Sequence, residues 1–205
     1  MSRYTGPRNR ISRKFGINLW GRAKNPLEKK KSSPGKAPGR KVMKKSDYGI
    51  QLDEKQKLRY YYGCISEKQF RNTFKKALQL KGDTGEEFLG LLESRLDVAV
   101  YRMNFVPTIF AARQFVNHGH FMVNGKKVNI PSFRLKPGDV ISVREKSRKN
   151  SIIQSHIESP ERDIPGYIEF DKEKLEGKLE HIPKSAEIPF PFPLNQMLVV
   201  EYYSK

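Results

Sequence analysis

The sequence predicts an α+β fold, helical through its middle, with a small antiparallel sheet and an extended basic N-terminal arm. Three observations carry this. Apolar residues recur with a helical period of 3.6 from Ser46 to Gly119 and with a period of 2 beyond it. Asn124-Gly125 stands between His120-Phe121-Met122-Val123 and Lys126-Lys127-Val128, a strong hairpin signal. The first 45 residues hold 15 Lys or Arg against one acid, Glu28, and have too few apolar side chains to pack a core alone.

Each element has its own start and stop. Around Asp53, read as the start signal, Leu52, Gln56, Arg59 and Tyr60 lie at helical spacing, and Gly63 ends that segment. Ser66 with Gln69 forms a capping box before the stripe Phe70, Phe74, Ala77 and Leu78, which runs to Gly82. Thr84 with Glu87 forms another, before Phe88, Leu91, Leu92 and Leu96. A break is expected near Ser94, whose spacing to Asp97 offers a fresh cap for Val100 and Met103. Thr108 caps a helix that buries Ile109, Ala112, Phe115 and Val116 and stops at Gly119. After the hairpin, Lys136-Pro137-Gly138-Asp139 turns into the strand Val140 to Val143, and further strands are expected at Tyr167 to Phe170 and around Leu175 to Ile182. The proline-rich block from Ile188 to Pro193 reads as a rigid connector. Asn195 caps a final segment through Met197, Leu198, Val200 and Tyr203 that fits helix and strand almost equally.

Composition narrows the function. Among 205 residues, 40 Lys plus Arg face 22 Asp plus Glu, a net charge of +18 that calls for a polyanion. No apolar run approaches the ~18 residues of a membrane span, and a single Cys argues against a disulfide framework and for a reducing, intracellular setting. Net charge is concentrated at the start: residues 46–91 hold 8 bases and 7 acids, residues 92–160 hold 11 and 5, and residues 161–205 hold 6 and 9. Three readings of the basic arm compete: a solvated disordered tail, an organellar transit peptide, and an arm that orders on nucleic-acid phosphates. Tyr4, Ile11, Phe15, Leu19 and Trp20, interleaved with the bases, favour the third.

Catalysis finds little support. The four His residues, at 118, 120, 156 and 181, pair with no nucleophile at a recognisable spacing, and Cys64 sits after a glycine where an inert thiol is expected. His118-Gly119-His120 lacks a third ligand for zinc, and the glycines of Lys81-Gly82-Asp83-Thr84-Gly85 stop one helix and restart another. Basic and amide side chains instead gather after Thr108. Arg113 and Gln114 leave the apolar stripe, Asn117, His118 and His120 mark the turn, and Asn124, Lys126 and Lys127 form the hairpin tip. Arg134, Lys136, Arg144, Lys146, Arg148 and Lys149 follow, and together they make a surface able to grip phosphates and stack on bases.

The stretch LESRLDVAVYRMNFVPTIFAARQFVNHGHFMVNGKKVNIPSFRLKPGDVISV, Leu92 to Val143, resembles a small RNA-binding module also attached to some pseudouridine synthases and tyrosyl-tRNA synthetases. The flanks are similar in order to the family of bacterial small-subunit ribosomal protein four: RYTGPRNRISRKFG from Arg3, KKSDYGIQLDEKQKLR from Lys44, YGCISEKQFRN from Tyr62, KGDTGEEFLGLLESRLD from Lys81, and the terminal LVVEYYSK.

That resemblance implies a structural protein of the small ribosomal subunit in the cytoplasm, or in an organelle with a bacterial-type ribosome, and not an enzyme. It implies direct binding of 16S rRNA, nucleation of its 5′ domain, and influence on translational accuracy near the path by which mRNA enters. Small-subunit ribosomal proteins three and five would be neighbours, and no membrane or small-molecule substrate is involved. It also implies that the RNA-binding module is inserted in the helical domain. The expected parts are an arm at 1–45, a helical domain at 46–91, the module at 92–160, and strands with a final segment at 161–205 that returns to the helical domain. The RNA-contacting residues carried over are Arg3, Arg8, Arg10, Arg13 and Lys14, then Lys44, Lys45, Ser46, Tyr48, Gln56, Lys57, Arg59 and Arg71. In the module they are Arg95, Arg102, Arg113, Gln114, His118, His120, Asn124 and Lys126. Many relatives hold a four-cysteine zinc cluster in the arm, where this chain has no Cys, so no zinc and no other cofactor is expected. Ser33 to Arg40 also departs from the family pattern, and no contact is carried over there. The alternative from another class is an RNA-modification or heat-shock factor using the same module. It is disfavoured because no catalytic constellation remains once the module is set aside. Because no stripe is evident in the arm, removing residues 1–45 is expected to leave the rest folded.

Overall fold

The computed structural model describes residues 4–30, 32–35 and 44–204. The chain divides into two compact units: residues 1–74 with 190–205, and residues 75–189. The second unit is thus an insertion within the sequence of the first, and the division falls inside helix α4.

In the first unit α1 (Arg8–Phe15) ends at Gly16, which takes a left-handed φ of 68°. The single turn α2 (Pro26–Lys29) is capped by Asn25. α3 (Asp47–Tyr61) starts earlier than the apolar spacing predicts, because Ser46 caps it by accepting the Gly49 N–H. Its buried face is Gln51, Lys55, Leu58 and Tyr61, one position off the predicted stripe. Polar side chains hold that face: Gln51 donates to Glu201 at 2.9 Å, and Lys55 donates to Glu67 at 2.8 Å. α4 (Glu67–Ala77) follows Ser66, whose Oγ accepts the Gln69 N–H, and buries Phe70 and Phe74. Leu78, expected in that stripe, is 56% exposed because the helix has already ended. The final segment settles as helix α9 (Gln196–Tyr203), with Asn195 accepting the N–H groups of Met197 and Leu198. It lies along α3, with Tyr203 stacked on Phe74 at a centroid distance of 4.6 Å. The proline-rich connector does more than space: it sets Phe190 and Phe192 against Tyr61 at 5.2 and 5.5 Å.

The basic N-terminal segment is helical over α1 and contributes to the core of its unit, unlike the extended arm predicted. Ile11, Ser12 and Leu19 are buried, and α1 packs on α3. Arg and Lys fill the solvent side of α1, so only one short apolar edge remains, too brief for periodicity to reveal. Deleting residues 1–45 is therefore expected to destabilise the first unit. Each buried Leu or Ile side chain contributes about 1.5–3 kcal/mol. Thermal melting followed by circular dichroism should show a lower midpoint for the truncated protein, and an unchanged midpoint would restore the view of a coreless arm.

In the second unit α5 (Thr84–Glu93) is capped by Asp83 rather than Thr84, the Asp83 carboxylate accepting the Glu86 N–H at 2.9 Å. The break at Ser94 is present, but Arg95 takes the N-cap position of α6 (Leu96–Arg102), and Asp97 bonds the Arg95 guanidinium. α7 (Ile109–Asn117) is capped by Thr108. The helices cover a five-stranded antiparallel sheet of β1 (Phe121–Val123), β2 (Lys126–Lys127), β3 (Val140–Val143), β4 (Ile168–Asp171) and β5 (Glu176–Leu179). The strand order is β2-β1-β3-β5-β4. Between β3 and β4 lies α8 (Ser151–Glu158), capped by Asn150. Asn124 and Gly125 supply the two positive φ values, 49° and 74°, that the β1–β2 turn needs.

Strand register aligns the core. Phe121 opposes Val143, Val123 opposes Ile141, and Ile141 opposes Gly177. Gly177 is a close approach: a Cβ there would stand 2.6 Å from Met103 Sδ, so the strand touches the end of α6 only without a side chain. The rings of Phe121 and Phe170 each sit 5.3 Å from Phe105 and close this core.

Candidate nucleic-acid interface

In the first unit, the periodicity of α1 places Arg10 and Lys14 one turn apart on one face. They line a groove of about 480 Å³ together with Tyr4, Ile11, Lys45, Asp53 and Tyr60. The Tyr4 and Phe15 rings each lie 6.2 Å from Tyr60, which makes an aromatic floor, and the Lys14 ammonium stands 5.3 Å from the centre of the Phe15 ring. Burial holds the Tyr4 hydroxyl above its ordinary pKa, which keeps it a neutral donor. Lys45 pairs with Asp53, the acid in the groove. Arg13 has a buried Nε without a hydrogen-bond partner among the described residues, while Arg8 is half-buried on the same helix.

The other predicted residues of this unit divide by what their side chains already do. Lys44 and Arg71 are exposed, and Tyr48 is 55% exposed with its ring 5.6 Å from Tyr202. Ser46 is spent on the N-cap of α3. Gln56 accepts from Arg59 Nε and Nη2 at 3.0 and 2.8 Å, while Arg59 Nη1 donates to the Ile65 carbonyl at 3.0 Å. Those bonds lay the guanidinium over Tyr60 at 4.6 Å, where its plane extends the aromatic floor. Lys57 is paired with Glu54. Arg3 lies outside the described residues.

In the second unit the end of α7 and the β1–β2 hairpin form a second basic surface. Gln114, His118 and Lys126 are exposed, and Arg113 is half-buried. Lys127 folds across Gly119, whose φ of 73° turns the chain into β1. His120 exchanges a hydrogen bond with Ser147 Oγ at 2.8 Å and packs on Phe115 at 4.8 Å. Burial, with help from the charges of His118 and Arg144, holds the His120 imidazole below its ordinary pKa. At neutral pH it therefore presents a neutral hydrogen-bonding ring rather than a cation. The two rings of His118 and His120 stand 6.1 Å apart.

Three predicted contacts are placed elsewhere. Arg95 is 4% exposed and grips Asp97 through Nε at 2.9 Å and Nη2 at 2.7 Å. Arg102 is 5% exposed and grips Glu93 at 3.0 and 2.7 Å, with a further bond of 3.3 Å to the Pro189 carbonyl. A guanidinium can sit in a core only with such bidentate partners, and one so engaged is turned away from a ligand. Asn124 is exposed, but its amide donates to Asp139 at 2.8 Å and its oxygen accepts the Val140 N–H at 2.9 Å, which ties the hairpin to the next turn. Sequence alone could not separate these from surface contacts, because their partners arrive through folding. Tyr60 was legible only as part of a helical stripe, and its role as the floor of the Arg10–Lys14 groove comes from α1 packing on α3.

Two family models together cover most of the chain. Residues 3–93 match the ribosomal protein S4/S9 N-terminal domain, and residues 94–141 match the S4 domain. The chain is 52% identical over 205 residues to small ribosomal subunit protein uS4 of Ruegeria sp. (strain TM1040), with the whole of both chains covered. It is 49% and 50% identical, again over the whole of both chains, to the uS4 proteins of Dinoroseobacter shibae and Brucella abortus (strain S19). With both domains matched in order and half of all positions identical from end to end, this chain belongs to the bacterial uS4 family of small-ribosomal-subunit proteins.

Proposed function

We propose that the protein is a structural constituent of the small ribosomal subunit that binds 16S rRNA directly and nucleates folding of its 5′ domain. The observation that carries this is the groove that Arg10, Lys14 and Lys45 line together with Tyr4 and Tyr60, since cations beside aromatic rings suit phosphates flanking unpaired bases. The α7–hairpin surface, with Arg113, Gln114, His118, His120 and Lys126, is the second contact, and Arg95, Arg102 and Asn124 act by holding its frame. The organisation that fits this reading is an arm at 1–45, a helical domain at 46–91, the module at 92–160, and a stretch at 161–205 whose strands β4 and β5 complete the sheet of the second unit before the segment from residue 190 returns to the first.

The face between α3 and α9 has a different character. Its groove is lined by Asp47, Ile50, Gln51, Leu198 and Glu201, and Met197 nearby is 70% exposed. The acidic side chains repel phosphates and, with the apolar ones beside them, suit a basic protein neighbour. This supports contact with small-subunit ribosomal proteins such as three and five, near the path by which mRNA enters, and through them an influence on translational accuracy. As a ribosomal constituent the protein belongs to the cytoplasm in this reading, and among the described residues no helix is long and apolar enough to cross a membrane.

Fractionation of a cell extract tests the reading. Stoichiometric co-sedimentation with small subunits through a high-salt wash is expected, with hydroxyl-radical footprints confined to 16S rRNA. Substoichiometric, salt-labile association would overturn it in favour of a transient RNA-processing role.

A further inference from the structure

A third cavity, of about 360 Å³, lies in the second unit and is lined by Val123, Asn124, Lys126, Val128, Phe133, Arg134, Lys136 and Asp139. That volume falls within the range of about 300–1,000 Å³ typical of small-molecule sites. Its frame is rigid. Backbone bonds from Leu96 N–H to the Phe133 carbonyl at 2.9 Å and from Leu135 N–H to the Ser94 carbonyl at 2.8 Å pin the segment to the start of α6. Asp139 is consumed, accepting from Asn124 and from the Lys136 N–H, both at 2.8 Å.

Within that frame Phe133 is 36% exposed, whereas Leu135 two residues on is buried. Arg134 stands beside the like-charged Arg95 and has no carboxylate within ion-pair reach among the described residues. Burial and the nearby Arg95 charge lower its pKa, the mark of a cation held without compensation. Lys126 and Lys136 form no ion pair with a described acid either. An exposed aromatic side chain beside three cations that form no ion pair, against the single carboxylate of Asp139, leaves the cavity a net positive charge and selects a ligand that has both an aromatic plane and an anion.

We propose that this cavity seats a single unpaired ribonucleotide, its base stacked on Phe133 and its phosphates held by Arg134, Lys126 and Lys136. The inference rests on the rRNA-binding reading and adds to it a site that senses an unstacked base rather than duplex shape. Stacking on an aromatic side chain is sequence-tolerant, so the site selects for single-strandedness and not for one base.

The test uses the full-length protein and a heptamer of 4-thiouridine as the photo-crosslinking probe. Trypsin releases the peptide Val128–Arg134, which carries Phe133 and, among the cavity residues, adjoins Lys136 and Lys126 only through its flanks. Cross-linking to this peptide is expected in the natural protein and in Phe133→Tyr, which keeps the ring. It should fall about fivefold or more in Phe133→Leu, which keeps apolar bulk without a π-face. Arg134→Gln should weaken binding of the heptamer and lower its salt slope by about 1. Absence of the cross-link in the natural protein overturns the proposal, as does equal loss in the Tyr and Leu variants, which would mark Phe133 as structural. Displacement of the heptamer by a blunt RNA duplex as readily as by unlabelled oligouridylate overturns it too. Retention of a 16S rRNA transcript by the natural protein, measured in parallel, separates the outcomes: loss of the cross-link with retention defeats this site alone, whereas loss of retention defeats the broader rRNA-binding reading.

Discussion

Replacing Glu93 by alanine is expected to destabilise the protein by about 3–5 kcal/mol, because it strands a buried guanidinium. Glu93 takes two bonds from Arg102 and a third from the Tyr167 hydroxyl at 2.8 Å, and neither side chain of the ion pair is more than 5% exposed. Three distant parts of the second unit therefore meet on one carboxylate: α5 through Glu93, α6 through Arg102, and the approach to β4 through Tyr167. The pair's attraction only offsets the cost of removing two charges from water, but breaking it leaves that cost uncompensated. Urea denaturation should show a markedly lower midpoint for Glu93→Ala. The double variant Glu93→Leu with Arg102→Met, which removes both charges at similar volume, should recover most of the loss. If the double variant is as unstable as the single one, packing rather than charge compensation explains the network.

Affinity for 16S rRNA is expected to fall steeply with salt. A protein making on the order of 6–10 phosphate contacts loses about 10³ to 10⁵ in affinity between 50 and 200 mM salt, through release of condensed counterions. Arg10, Arg13 and Lys14 on α1, with Arg113, Lys126 and Lys127 on the α7–hairpin surface, make six cations, enough to reach that range. Filter binding across a salt series measures the slope. Arg10→Gln and Lys14→Gln should each lower it by about 1 while leaving sequence preference unchanged, as expected of phosphate contacts. A nearly flat dependence would contradict the mechanism. Because Arg10 and Lys14 project from a helix that also buries Ile11, glutamine is the appropriate replacement: it removes charge and keeps the helix.

Much of the fold is written locally. The caps at Ser66 and Thr108, the break at Ser94, the Asn124-Gly125 turn and the strands near Tyr167 and Leu175 follow from short-range chemistry that a linear reading can see. Errors fall where a distant partner decides. Asp53 marked no helix start because Ser46 had already capped α3, and the buried face shifted to Gln51 and Lys55 because Glu201 and Glu67 wait for them. The helix-or-strand ambiguity of residues 196–203 is resolved by the flank of α3, where Tyr203 stacks on Phe74 and donates to Glu67. Burial and the Glu67 carboxylate together drive the Tyr203 hydroxyl pKa upward, so that donor is never lost at physiological pH.

The candidate site shows the same division. Sequence by itself determined the concentration of positive charge in the first 45 residues and after Thr108, and the type of partner that charge requires, because net charge and composition need no coordinates. It also carried the family, since motifs in order from end to end are a property of the chain. Only the tertiary structure decided which cations are available. Arg95 and Arg102 are as basic in sequence as Arg10, yet two carboxylates reached by folding turn them into core struts. Arg134, equally ordinary on paper, forms no ion pair among the described residues and lines a cavity with the exposed Phe133. The physical reason is that charge is a local property of a residue, whereas its compensation is a property of the neighbours that packing supplies.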